Sequence, residues 1–256
     1  MTSTTKDKKR KHKNVRLWAI AFWLIVWECA ARLINQEIFL VSPLSVLKKI
    51  AEFIITWDFW NSIFFSLWRI SSGFLLATIL GILFAGLSAR FTRIKELLSP
   101  FILILKAIPV ASFIILSLVW ISSKNLSVLT SFMIVFPIIY TGILEGIQNT
   151  DQKLLEMADV FQIAKTKRFR YIYVSQVLPF FHAACSVALG LSWKTGVAAE
   201  ILGIPDGSIG EKLYKAKIFL NTPDLFAWTT VIILVSFLFE KVFLFFIRRI
   251  VSRLEE

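Results

Sequence analysis

Histidine and cysteine are nearly missing from this chain, with two of each among 256 residues. Cys29 and Cys185 lie inside apolar runs, far from any CxxC or His-containing ligand spacing, so neither a disulfide framework nor a metal site is expected and both read as buried thiols. His12 and His182 stand alone, no nucleophile has a base at motif spacing, and no G-x-x-x-x-G-K-S/T phosphate loop occurs. No catalytic residue and no bound cofactor are expected. Charge is scarce too: Asp, Glu, Lys and Arg make up 18%, with 17 acids against 29 bases. What is present instead is hydrocarbon, 57% hydrophobic residues with 24 Phe and 9 Trp. A mean hydropathy of +0.71 exceeds what a soluble core of this length needs. The class is an all-α, polytopic membrane protein.

The chain opens "MTSTTKDKKRKHKNVR", a basic polar tail over 1–16, before an apolar run from Leu17 to Ile34. That run is longer than a signal-peptide core, and "NQEIFLVSP" after it offers no convincing cleavage site, so it is expected to be the first membrane helix. A basic arm at this place is a cytoplasmic topology signal, and no nucleic-acid partner is expected. Apolar stretches of membrane-crossing length recur near 17–34, 64–88, 98–121, 126–147, 179–197 and 226–247, about six helices. The expected layout is a transmembrane domain over 17–250, with a cytoplasmic loop at about 148–178, an outer loop at about 198–225, and a short tail over 251–256. With the N-terminus inside, the segments 1–16, 89–97, 148–178 and 248–256 carry 18 Lys/Arg, against 6 in 35–63, 122–125 and 198–225. The positive-inside rule then places both termini in the cytoplasm.

Three basic residues, Arg69, Lys106 and Lys194, fall inside apolar spans, where an unpaired charge costs several kcal/mol unless it faces protein or water. Two readings stay open: pairing, for example of Arg69 or Lys194 with Glu28 or Glu200, or lining one cavity that would favour an anionic solute. Trp68, Trp120 and Trp193 next to these positions suit an organic portion. Gly73, Gly81 and Gly86 with Ala77 and Ala85 allow close helix approach, and Pro109 and Pro137 interrupt spans three and four. In the outer loop Pro205, Asp206 and Gly207 mark a turn, beside an expected short re-entrant or interfacial helix.

The middle of the chain reads "LLEMADVFQIAKTKRFRYIYVSQVLPFF", polar between greasy segments, with four basic residues within 165–170. Asp151 can cap a short helix carrying Leu154, Leu155, Ala158 and Phe161 on one face. Thr166 can cap a second, with Phe169, Ile172 and Tyr173 as its stripe, and Pro179 then suits the start of the next span. The plain reading is two helices resting on lipid headgroups.

Glu156 to Pro179, "EMADVFQIAKTKRFRYIYVSQVLP", resembles the Glu-Ala-Ala loop of binding-protein-dependent ATP-binding-cassette import permeases. Glu156, Ala158, Ile172, Leu178 and Pro179 match its pattern, while the usual glycine is Gln162, for which a positive φ is costly. The segments "VSPLSVL", "SLWRISSGFLLATILGILFAG", "SPFILILKAIPVAS" and "SWKTGVAAEILGIPDGSIG" are similar, in order, to the nitrate, sulfonate and taurine group, although Ile-Ser follows Trp120 where relatives often have Phe-Gly.

The resemblance implies a type I importer permease fold in a bacterial plasma membrane. It implies cassette ATPase subunits that use the ATP, an extracytoplasmic solute-binding protein, a permease homodimer, and contact with membrane lipid. Glu156, Ala158, Phe161, Gln162, Phe169, Ile172, Leu178 and Pro179 become candidates for the ATPase-coupling loop. Arg69, Lys106, Trp193, Lys194 and Glu200 become candidates for the translocation path of a small anion or organic solute. A six-helix secondary carrier is the alternative, against which stand the lack of an internal repeat and the isolation of Glu28, Glu145 and Glu240; a membrane scaffold without ATP coupling is another.

The charge asymmetry predicts that Lys8→Cys or Ser252→Cys labels from the cytoplasm and Lys215→Cys from outside. Labelling of the last variant only from the inner face would overturn the map.

Overall fold

The structure, a computed structural model, describes residues 17–255, so the basic tail expected over 1–16 lies outside the described residues. The elements run α1 (Leu17–Ile34), α2 (Pro43–Ile54), α3 (Trp57–Arg90), α4 (Thr92–Ala107), α5 (Val110–Ser117) and α6 (Ser123–Gln148). They continue with α7 (Gln152–Val160), α8 (Lys165–Arg168), a π-helical turn (Phe169–Val174), α9 (Ser175–Gly203), α10 (Ile209–Ile218) and α11 (Thr222–Glu255).

Among the described residues α3, α6, α11 and the stretch Lys165–Gly203 are long and apolar enough to cross a membrane. A fifth span is counted if α4 and α5 are taken as one, bent by 102°. The expected first span is present as α1 with its expected bounds but is not among these, so six spans are not reached by that measure. The bend follows from Pro109, which has no N–H to continue the ladder and forces Ile108 into an extended conformation with ψ 127°. Pro137, by contrast, sits buried inside an unbroken α6.

Helix α6 is the centre, packed against α3 on one side and α9 on the other. The larger core joins Phe74 and Ala77 of α3, Phe136, Ile139 and Tyr140 of α6, and Cys185, Ala188 and Leu189 of α9. A second core, towards the end of α9, gathers Phe59, Ile70, Trp193, Ile209 and Trp228. Small residues set how close the helices come. A Cβ on Gly73 would lie 2.3 Å from the Val128 carbonyl oxygen, whereas one on Gly86 meets nothing within 4 Å.

Several expectations change here. Helix α2 was not foreseen; Ser42 caps it by accepting from the Ser45 N–H at 3.2 Å, with Pro43 at the first turn. Thr166 caps nothing, because the helix already starts at Lys165 after Ala164. Pro179 lies inside α9 rather than at a helix start, since the helical path runs into α9 directly from the π-turn. Cys185 is buried but Cys29 is exposed, because α1 turns most of its circumference away from the rest of the chain. Helix α11 runs on to Glu255, through most of the expected 251–256 tail.

The glycine contacts predict opposite signs for two similar substitutions. Gly73→Ala should cost about 1–3 kcal/mol by overpacking against backbone, whereas Gly86→Ala should gain about 0.5–1 kcal/mol. Thermal melting of the purified protein in detergent reads both.

Candidate functional site

On the cytoplasmic side of the charge map, the α7 to α9 connection builds a small two-helix body. Asp151 caps α7, its side chain accepting from the Lys153 N–H at 2.9 Å. The far end closes on Gln162 at φ +50°, with the Ile163 N–H donating to the Ala158 carbonyl at 2.9 Å and the Gln162 N–H to the Asp159 carbonyl at 3.1 Å. That is the Schellman pattern of a glycine-ended helix, made here by glutamine. An ion pair between Arg168 and Asp159 then ties α8 back to α7. Ala158 and Ile172 are buried, Leu178 and Tyr173 half-buried, and Glu156 and Pro179 exposed. The apolar stripe is only partly used: Leu154 and Leu155 are half-buried, but Phe161 is 72% exposed, Phe169 65% and Val160 79%.

At the other end of α9, three elements meet around Glu200, which is fully buried. Its Oε2 accepts from Ser66 Oγ at 2.7 Å and from the Gly210 N–H at 3.3 Å, while Ser66 Oγ accepts from the Ile209 N–H at 3.0 Å. One carboxylate thus joins α3, α9 and the start of α10. Only glycine fits at 210, where a Cβ would lie 2.3 Å from that of Glu200. Ser208 caps α10, its Oγ accepting from the Glu211 N–H at 3.0 Å. Burial alone would raise the Glu211 carboxyl, but the Lys215 ammonium and the Gly207 N–H outweigh it and hold it below the usual carboxylate range. Lys212 pairs with Asp58, fastening α10 to α3.

The pairings anticipated for the intramembrane bases are not made. Glu28 accepts from Arg32 at 2.7 Å in its own helix. Arg69 reaches Asn125 Oδ1 at 3.4 Å and lies 4.2 Å above the Phe65 ring. Lys106 is exposed in the last turn of α4, just before the bend. Lys194 is exposed and lines a cleft between α9 and α11. The three bases therefore do not converge on one cavity. Trp193 is buried, whereas Trp68 and Trp120 are exposed. Ser66 and Gly210 went unsingled from the sequence; the buried carboxylate that links them is visible only once α10 folds back onto α9.

A sequence profile described as "Binding-protein-dependent transport system inner membrane component" matches residues 77–256. A permease protein of Bacillus subtilis (strain 168), named for aliphatic sulfonate transport, is 26% identical over 211 residues, 81% of this chain and 74% of that protein. The taurine transport system permease of Escherichia coli (strain K12) is 25% identical, covering 89% of this chain and 85% of its own length. A nitrate import permease of Synechococcus elongatus is 26% identical, covering 77% and 74%. A solved amino acid ABC transporter superposes with a TM-score of 0.55 over 82% of this chain and 97% of that one; at 19% identity the likeness concerns the fold.

A left-handed φ costs a Cβ-bearing residue about 1–2 kcal/mol relative to glycine. Gln162→Gly should therefore stabilise the folded protein, by less than that because glycine also loosens the unfolded chain, whereas the β-branched Gln162→Val should destabilise it. A fall in melting temperature for Gln162→Gly would show that the turn does not limit stability.

Proposed function

The chain belongs to the family of binding-protein-dependent transport system inner membrane components, and from that premise we propose that residues 151–179 are where a cassette ATPase grips it. It is the permease subunit of an ATP-binding-cassette importer, a transport subunit and not an enzyme. Membership removes the secondary carrier and the inert scaffold from contention. ATP is used by the partner subunit, and this chain binds no cofactor of its own.

The observation that carries the coupling proposal is the exposed apolar surface of Val160, Phe161 and Phe169 on the small body between α6 and α9. Val160 and Phe161 lie outside every candidate span, so lipid tails do not account for them, while Phe169 sits at the start of the Lys165–Gly203 stretch beside them; apolar surface of this kind marks an interface. Ala158 and Ile172 form the inside of the body, Gln162 shapes its turn, and Glu156 is left exposed beside the contact face. Leu178 and Pro179 carry the chain from that body into the membrane.

The relatives named for sulfonate, taurine and nitrate support a small anion or organic solute. Two copies of the chain would enclose the route, since one has too few helices to surround a wide path. Of the five candidate path residues, Lys106 and Lys194 are open to such a route. Arg69, Trp193 and Glu200 belong to the packing that shapes it. In this reading both termini are cytoplasmic, and the α10 region faces the solute-binding protein.

Phe161→Glu and Phe169→Glu test the grip without touching the interior of the loop. Each should lower the ATPase that co-purifies with the permease by about tenfold or more, with membrane insertion retained. Undiminished ATPase recovery with both, together with loss of stability on replacing Lys167, Arg168 and Arg170 by Gln, would favour the headgroup-resting alternative.

A further inference from the structure

Helix α2 presents three faces where a helix resting on a protein needs only two. At about 100° per residue, Val46, Ile50 and Phe53 share the first, which packs against the start of α11 through Ala227 and Trp228. Lys48, Lys49 and Glu52 share the second, with Lys49 paired to Glu52 at 2.8 Å and 3.8 Å from Asp224. Leu44, Leu47, Ala51 and Ile54 share the third, which is apolar and exposed. The Ile54 end of that face meets α3 across a connection of two residues, where Trp60 Nε1 donates to the Ile54 carbonyl at 2.9 Å. From Trp60 an exposed stripe continues along α3 at helical spacing through Phe64, Trp68, Leu75, Ile79 and Ile82.

A soluble partner, a second copy or lipid could cover such a face, and the stripe decides between them. Helix α3 is long and apolar enough to cross a membrane, so a surface continuous with its stripe runs to span depth, where a soluble partner cannot follow. Membrane helices approach one another through small residues, whereas the exposed members of this stripe are bulky, so a second copy fits poorly. Lipid meets both conditions. Helix α2 is too short to cross: its 12 residues rise about 18 Å, against a hydrocarbon core of about 30 Å. We propose that α2 is an in-plane helix of the bilayer surface, with Leu44, Leu47 and Ile54 in the lipid and Lys48 and Glu52 among headgroups and water. A helix with faces divided in this way is held at a lipid surface by its buried apolar side, and Trp57 and Trp60 beside it suit the same boundary. By the charge map that surface is the outer one. The stack of Phe53 on Trp228, with ring centroids 5.4 Å apart, then lets the same surface set the level of α11. This seat requires only that the chain spans a membrane, and it is independent of where the ATPase grips.

The test places a nitroxide spin label on the full-length chain in liposomes of phosphatidylethanolamine and phosphatidylglycerol, on a background carrying Cys29→Ser and Cys185→Ala. Single variants Leu44→Cys, Leu47→Cys and Ile54→Cys report the third face, and Lys48→Cys and Glu52→Cys the second. Collision with dissolved oxygen, which concentrates in lipid, is compared with collision with a water-soluble nickel chelate. The oxygen-to-nickel ratio should be severalfold higher at 44, 47 and 54 than at 48 and 52. Adding Leu44→Asp to the Ile54→Cys variant should lower the ratio at 54 severalfold. Melting curves should move little, because these side chains point away from the core, and they separate a lifted helix from an unfolded chain. Free access of the nickel chelate to 44 and 47 would overturn the proposal, because the face would then be open to water and to a soluble partner. Protection of the same positions from both reagents, with dipolar broadening between labels on neighbouring molecules, would overturn it in favour of a second copy. Equal ratios at all five positions would show that α2 does not divide lipid from water, and would overturn it as well.

Discussion

The arrangement depends on how closely α3 and α9 can approach α6. Water gives helices no reason to associate once they are in lipid, so contact rests on dispersion between surfaces that fit. Here the fit is made by missing side chains: Gly73 against the Val128 carbonyl, Gly81 against Ile139, Gly142 against Ala184, and Gly146 against Val177 and Phe180. Two of these lie on α3 and two on α6, so the central helix is both a receiver and a donor of close contacts. Aromatic stacking of Phe132, Phe136 and Tyr140 along α6 then fixes its remaining face against the α3 and α4 side.

Given that frame, the α10 end is closed by polar rather than apolar contacts. Glu200 has no ion-pair partner among the described residues and is held by a serine hydroxyl and a helix-start N–H. Such a carboxylate is costly to bury and costly to disturb, since removing Ser66 would take away the shorter of its two hydrogen bonds. Its directionality is the gain: apolar packing would let α10 slide along α9, whereas the Ser66, Glu200 and Gly210 contacts admit one register. The Lys212–Asp58 and Lys49–Asp224 pairs around it are more exposed and add orientation more than stability.

Most of the span positions were legible from apolar runs alone, because 1.5 Å per residue and the thickness of a bilayer leave little choice. The Pro109 break was legible only in part, since Pro137, read in the same way, sits inside an unbroken α6. Two kinds of feature were not. Helix α2 is short and amphipathic, so a hydropathy window passes over it, and its capping serine is legible only after the helix is suspected. Partners of buried charges were not legible at all: Glu200 could have met Arg69 on spacing grounds, yet it meets Ser66, far off in sequence, because α10 returns across the end of α9. The Gln162 turn lies between these cases. The pattern asked for a positive φ at that residue, and the surrounding Schellman bonds impose it on a side chain that does not favour it.

The α7–α8 body and the span it feeds are each held firmly, by different means. Capping at Asp151, the Gln162 turn and the Arg168–Asp159 pair lock α7 to α8, so a displacement at Phe161 cannot be absorbed by bending between them. On the membrane side, Val177 and Phe180 are pressed against Gly146, and Ala184 against Gly142, which fixes the start of α9 on α6. Between these two fixed points lies the π-turn Phe169–Val174, where the hydrogen-bond register departs from that of the flanking α-helices. Pro179 adds to it by removing the N–H that would bond the Ser175 carbonyl. Relative movement of the body and the span is therefore taken up most readily in the π-turn from Phe169 to Val174, whose hydrogen-bond register departs from the α-helical ladder that follows it.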